Sequence, residues 1–405
     1  MADRENPIEQ EIRDEIRRVK RAPSREQKRR ILPRLLMLLL LAAAVLGAVG
    51  FAAKNGASGG DSLRRLFSYS KAERDGDGKT ELYRYDSDRS AAYEALGKSL
   101  LIVSTTRVQV LDETGQELWA ETVGFTNPAI AVGGKRAAVY DVGGQRLYLL
   151  DESGFVRDMS DETENGVLSV TLNSADYLAL TTLKSGYRTA VTAYDPAGNP
   201  VFTFNSSESY LTEARVLDDN RQLAAVSLGE ADGVYASTLT FYAFDQEKPV
   251  GGATFGGEMV LGLGSVGGSF AALEDSRVTL FRKDGSLAGS LRFAYPYLRD
   301  VTFSGDGFGA VLLSRYRSGS SLRLVTFDSA GEVLGTLDER REIMDVSAAG
   351  KYIAVLYSDS LTIYTADLTE HQTLNGTEFA RRVAMRSDGT ALLLGASRAW
   401  LVAPD

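Results

Sequence analysis

A short turn that keeps returning constrains this chain more than any other feature. An apolar or aromatic strand ends in Asp, two variable residues follow, then Gly, then a second short strand. The turn stands as Leu111-Asp-Glu-Thr-Gly115, Leu150-Asp-Glu-Ser-Gly154, Tyr194-Asp-Pro-Ala-Gly198 and Phe327-Asp-Ser-Ala-Gly331. Looser copies are Phe244-Asp-Gln-Glu-Lys248, Arg282-Lys-Asp-Gly285 and Ala366-Asp-Leu-Thr-Glu370. Asp accepts backbone hydrogen bonds inside its own turn and Gly takes the positive φ that closes it, so each copy is a hairpin. Measured from the Asp or its equivalent, the copies lie 39, 44, 50, 38, 45 and 39 residues apart. That is room for four short strands with their turns, the period of propeller blades and not of helical repeats.

The rest of the exported part agrees. It turns every few residues, carries most of the forty glycines and shows no long stretch of helical period. Runs such as Ile353-Ala-Val-Leu356 are continuously apolar, as expected of a strand covered on both faces by neighbouring blades. After the seventh unit the chain supplies three more strands, near 382–385, 391–394 and 400–403. The missing fourth stands at the other end as Glu81-Leu-Tyr-Arg-Tyr85, and joining the two would close a ring and remove its exposed edges. The expectation is an all-β fold, a β-propeller of eight four-stranded blades, or seven if one terminal segment stays outside the ring. It occupies 78–405 and is preceded by one transmembrane helix.

That helix is read from residues 35 to 53, nineteen positions without a charge, extended backward by Ile31 and Leu32. As a helix the uncharged run is about 28 Å long, close to the hydrocarbon thickness of a bilayer. The long basic region ahead of it favours a retained anchor over a cleaved signal peptide. Positions 15–34 hold nine Lys or Arg against four in 54–73, which puts the N-terminus in the cytoplasm and the propeller outside the cytoplasmic membrane. The expected organisation is a basic cytoplasmic tail (1–30), the membrane helix (31–53), a Gly/Ser/Ala-rich tether (54–77) and the propeller. In the tail, Ile8, Ile12, Ile16 and Val19 form one apolar stripe, suited to a partner helix or the bilayer surface.

Charge and composition exclude several functions. Residues 1–34 carry eleven basic and seven acidic side chains of the chain's 45 and 54, so the remainder has 34 basic and 47 acidic, a net of −13. Such a domain repels phosphate backbones, and nucleic acid is not an expected partner. The chain has no cysteine, which removes disulfides, thiolate chemistry, Cys-ligated metals and lipid attached through cysteine. His371 is the only histidine. It excludes multi-histidine metal sites and is expected as an exposed residue following the turn at Asp367. Asp75-Gly-Asp77-Gly78 resembles part of a calcium loop but lacks the later ligands and reads as a plain turn. Asn205-Ser-Ser207 and Asn375-Gly-Thr377 match a short glycosylation sequon that arises often by chance. No cofactor is expected.

At Leu111-Asp-Glu-Thr-Gly-Gln-Glu-Leu-Trp119 the sequence resembles the repeat of quinoprotein-type propellers, Asp-x-x-Gly-x-x-x-Trp. That resemblance implies the fold. The pyrroloquinoline quinone, calcium and vicinal cysteines of the redox members have no counterpart here. WD40 repeats fit less well, since their structural network uses a His in each blade. A propeller-like outer-membrane assembly lipoprotein is also similar, but its lipid anchor needs a cysteine. The whole layout is similar to single-pass, propeller-bearing membrane proteins of monoderm bacteria, a family without an assigned activity.

Binding surfaces are sought where the outer strand of one blade crosses to the inner strand of the next, around the channel mouth. These segments hold Glu208-Ser-Tyr210 and Tyr295-Pro-Tyr-Leu-Arg299, which makes Glu208, Tyr210, Tyr295, Tyr297 and Arg299 the candidate binding residues. The alternative is that these tyrosines pack between blades. The expected function is a non-enzymatic binding or scaffold module for a protein or cell-wall component. Two alternatives stand beside it: an extracytoplasmic hydrolase of glycan or peptide built on a carboxylate pair at the channel mouth, and a sensor coupled to the cytoplasmic tail.

Overall fold

The computed structural model describes residues 79–403 apart from Arg89 and Asp232. The expected cytoplasmic tail, membrane helix and tether, and the Asp75–Gly78 turn, lie outside the described residues. Among the described residues no helix is long and apolar enough to cross a membrane.

Eight antiparallel four-stranded sheets form a β-propeller. Blades I to VII span 92–122, 128–158, 167–206, 210–256, 260–292, 297–339 and 343–375, each running outward from its first, inner strand. Blade VIII is composite. Arg382–Met385, Ala391–Leu394 and Arg398–Val402 come from the end of the chain, and its outer strand Lys79–Arg84 comes from before blade I. Inner strands contact their neighbours from blade I to blade V and from blade VI to blade VIII, that of blade I meets that of blade VIII, and blades V and VI join through a shared apolar core. The count of eight and the closure by the N-terminal strand are as the sequence indicates.

The second strand of each blade explains why the ring coheres. Ser99–Val103 and Tyr352–Tyr357 are buried along their whole length. In blade II, Ala137 and Val139 pack toward blade I while Ala138 and Tyr140 pack toward blade III. The pleat alternates side chains between two cores, so a strand between two blades must be apolar at every position. Trp119 extends this to the rim, where its ring packs on Tyr148 and Phe155 of blade II.

The recurring turn joins the third and fourth strands. In blade VI, Asp328 Oδ1 accepts the N–H groups of Ala330 (2.8 Å) and Glu332 (3.0 Å), and Gly331 sits at φ +81°. A type I turn followed by a left-handed residue shifts the strand register by one, and the shift recurs in blades I to VII. In blade VII the turn begins earlier than the sequence suggests. Leu368 N–H bonds to the Thr365 carbonyl, and Leu368 takes the position that Gly holds elsewhere, at φ +60°. His371 is therefore not a turn residue. It lies in the outer strand Glu370–Asn375, half-buried, 5.1 Å from the Tyr352 ring.

Candidate binding face

Because every blade is an up-and-down meander, its connections alternate between two faces. One face carries the first-to-second and third-to-fourth turns, hence all the Asp-Gly turns. The other carries the second-to-third hairpins and the crossings between blades, and is called the entry face below.

Exposed large hydrophobic side chains divide unequally. Ten lie at the entry face: Val142, Tyr187, Tyr210, Val234, Tyr235, Met259, Leu261, Tyr297, Tyr316 and Met344. The other six, Leu118, Phe155, Val250, Leu287, Val333 and Leu334, lie on outer strands at the rim. Apolar side chains left in water without a packing role mark contact surfaces when they gather on one side. Tyrosine is well suited to this, being apolar along its ring and polar at its tip.

Two local devices build the face. Blade IV has a hairpin of ten-residue strands, Gln222–Ala231 and Val234–Ala243, where the corresponding strands of the other blades have four to six. Four extra residues carry its tip about 13 Å beyond its neighbours at ~3.3 Å per residue. Tyr235 at that tip is 75 % exposed. The second device is a bulge at the entry end of the inner strand, repeated in blades III to VII. The unpaired residues are Leu168, Thr212, Leu261, Arg299 and Met344. A bulge bends the strand and re-aims its side chains, and here it leaves Leu261, Arg299 and Met344 exposed.

The residues singled out from the sequence fare differently. Glu208 and Tyr210 are exposed on the crossing into blade IV, with the Arg188 guanidinium 5.1 Å from the Tyr210 ring centre. Tyr297 is exposed and Arg299 occupies the bulge of blade VI. Tyr295 belongs to the packing alternative. It is half-buried against the core between blades V and VI, beneath Arg323 (4.7 Å), which Asp338 holds in a bidentate pair at 2.7 and 2.9 Å. The sequence reading passed over Tyr187, Tyr235, Met259, Leu261, Tyr316 and Met344, since hairpin length and bulge positions are set by pairing.

Directly after the bulge stand Ser169, Glu213, Gly262, Asp300 and Asp345. Glu213 accepts the Leu263 N–H of blade V (3.2 Å), and Asp345 accepts the Val383 N–H and the Arg382 guanidinium of blade VIII (both 2.8 Å). Asp300 takes the N–H of Val301 (2.8 Å) and is drawn down by that of Val346 in blade VII. These carboxylates clamp neighbouring inner strands together. Burial nonetheless pushes Glu213 up to about 7 and Asp300 up to about 6. Glu94 of blade I is exposed at the channel, where the surrounding protein and then the Asp345 charge push its carboxyl upward. It accepts no hydrogen bond among the described residues.

This arrangement bears on hydrolysis. A glycosidase needs two carboxylates presented to one bond; here Asp300 and Asp345 are held by main-chain N–H groups, and Glu94 lies within reach of the Asp345 charge. Glu258, on the crossing into blade V, and Glu274 share the Arg277 guanidinium at 2.5 and 2.6 Å, with Thr279 donating to Glu274. No group of His, Cys, Asp or Glu among the described residues is arranged to hold a metal ion.

The sequence matches a family of unknown function (DUF5711) over residues 75–378. The chain belongs to this family. The match covers the Asp-Gly turns and the inner-strand bulges described above, and ends before the last three strands of the closing blade. A comparison with curated proteins finds no match. Among solved structures, the family's fold is similar to the C-terminal WD40 domain of Sif2 (10 % identity, 80 % of this chain and 97 % of that one, TM-score 0.56). It is also similar to the Dos1 propeller (10 %, 82 % and 94 %, 0.51) and to BamB from Moraxella catarrhalis (14 %, 80 % and 99 %, 0.48). The WD40 likeness is one of architecture, since a chain with a single histidine has no His in each blade.

Proposed function

We propose that the protein is a non-enzymatic binding or scaffold module, tethered to the outer side of the cytoplasmic membrane by residues 31–53, whose entry face recognises a protein or cell-wall component. The observation that carries this reading is the gathering of exposed tyrosines and apolar side chains on one face, while the opposite face spends its aspartates on its own turns. Tyr187, Tyr210, Tyr235, Tyr297 and Tyr316 surround a channel whose carboxylates are mostly engaged in holding blades together. Contact surfaces draw their energy from such aromatic anchors. The acidic remainder of the chain suits a neutral or basic partner and disfavours nucleic acid. The membrane anchor rests on the uncharged run and on the asymmetry of basic residues around it.

The test is in-cell cross-linking of the full-length protein, with isolated cell wall offered in parallel. A reproducible partner that is lost when Tyr210, Tyr235 and Tyr297 are replaced together by Ala supports the reading and locates the face. Capture that survives this triple replacement overturns it. If neither protein nor wall is captured and glycan or peptide is cleaved in a manner dependent on Glu94, the hydrolase reading takes its place.

A further inference from the structure

Below the apolar rim of the entry face, a cavity of about 230 Å³ opens where the inner strands of blades III, IV and V meet. Leu168, Val226, Leu228, Met259 and Leu261 supply apolar walls, and the polar lining comes from Ser169, Thr212, Glu213 and Ser237. Two of these four are already engaged: Ser237 Oγ accepts the Val260 N–H (3.0 Å), and Thr212 Oγ1 bonds the Val226 carbonyl (3.4 Å). The other two are not satisfied. Ser169 Oγ is buried and has no hydrogen-bond partner. Glu213 receives one hydrogen bond, from Leu263 N–H to Oε1, which leaves Oε2 without a donor among the described residues. Arg215, two residues along the same strand, acts on Glu213 only through its charge and forms no hydrogen bond with it.

A buried hydroxyl without a partner is expensive to keep, and proteins rarely leave one facing a cavity, beside a half-buried carboxylate with an oxygen that accepts nothing, unless something fills the space. The volume exceeds that of one water, about 30 Å³, and is below the roughly 300 Å³ of ordinary small-molecule pockets, so it suits a guest the size of one side chain. The guest must be apolar along its length and must end in a group that donates several hydrogen bonds, preferably a cationic one. We propose that this cavity is a subsite for a primary alkylammonium group, with its chain against Leu168, Leu228 and Leu261 and its nitrogen donating to Glu213 Oε2 and Ser169 Oγ. The inference rests on the entry face being the binding face and adds what the partner inserts there. An ammonium is a compact cation with three donors on a flexible apolar stem. A lysine side chain of a bound protein and a free primary amine share this chemistry.

The test uses the purified full-length chain and ligand-observed NMR at pH 8.5, where Glu213, pushed up to about 7, is ionised, titrating n-pentylammonium against n-pentanol, its neutral counterpart. Saturable binding of the ammonium at least tenfold tighter than the alcohol is expected. It should fall at least tenfold in Glu213→Gln and about threefold in Ser169→Ala, and the serine variant should keep its thermal midpoint because that hydroxyl loses no partner. If Glu213→Gln does not fold, Leu228→Trp fills the cavity from its apolar side and should abolish binding. A lysyl peptide that displaces pentylammonium, where its norleucine counterpart does not, assigns the site to a protein side chain. Pentylammonium binding without such displacement assigns it to a free amine. Equal binding of amine and alcohol, or an affinity unmoved by both Glu213→Gln and Leu228→Trp, overturns the proposal and leaves a water-filled cavity. Partner capture through the tyrosines is read separately, so this result can fail while the binding face stands.

Discussion

At the scale of single residues, the turn signature is explained by where its two conserved chemistries point. Asp328 spends one carboxylate oxygen on two N–H groups of its own loop, and Asp195 and Asp284 are held below the ordinary carboxylate range, by the Asn199 and Ser286 side chains first of all. Asp328→Ala is expected to lower stability by about 1 kcal/mol, read by denaturant unfolding. Gly331→Ala should do more harm, since the left-handed φ resists a side chain and a Cβ there would stand 2.8 Å from the Ser290 backbone. The turn was legible because Asp and Gly each do one thing in it. The fate of Tyr295 was not: whether a tyrosine on a crossing faces solvent depends on Arg323, a partner 28 residues away.

At the scale of elements, the inner-strand bulge does most to make the face. It carries Leu261, Arg299 and Met344 to the opening and sets Glu213, Asp300 and Asp345 against the next blade. Asp345→Ala removes the acceptor of the buried Val383 N–H and releases the Arg382 guanidinium, which is exposed enough to be hydrated. The expected loss is roughly 2 kcal/mol, visible as a lower midpoint of chemical unfolding. The blade IV hairpin predicts the opposite pattern. Replacing Glu230–Tyr235 by a two-residue Asn-Gly turn shortens both strands by two residues and removes the exposed tip, because Gly229 pairs with Ala236. Thermal stability should change little, whereas partner capture should be lost. An unchanged capture would remove the hairpin from the binding surface. No repeat period announces a bulge or a long hairpin, because both arise from how two strands pair and not from which residues are apolar.

At the scale of the whole molecule, the ring is fastened by its termini. Lys79–Arg84 completes blade VIII, Tyr83 is fully buried, Arg386 reaches both the Tyr83 hydroxyl (3.1 Å) and the Lys98 carbonyl (2.6 Å), and the Tyr85 hydroxyl donates to the Gly395 carbonyl at 2.8 Å. Replacing 79–84 by Gly and Ser opens the edge of Arg398–Val402, and concentration-dependent association by light scattering is the expected result. The channel carboxylates give the molecule a pH response. Glu213, pushed up to about 7, and Asp300, up to about 6, keep protons in the folded state that the unfolded chain has released. Unfolding between about pH 4.5 and 7 therefore releases protons, and stability falls as pH rises through that window. The thermal midpoint should be higher at pH 5.5 than at 7.5, and Glu213→Gln should flatten the difference. A midpoint that climbs with pH over this range would contradict the assignment.

The sequence by itself determined the all-β class and the four-strand unit and favoured eight blades closed by the N-terminal strand over seven, because each follows from a spacing or from an apolar run covered on both sides; the pairing of Lys79–Arg84 with Arg398–Val402 decided the count. Only the tertiary structure decided which side chains the face presents and which carboxylates the channel encloses. Those depend on bulges, on hairpin length and on neighbours from adjacent blades, which come together only once the ring has closed.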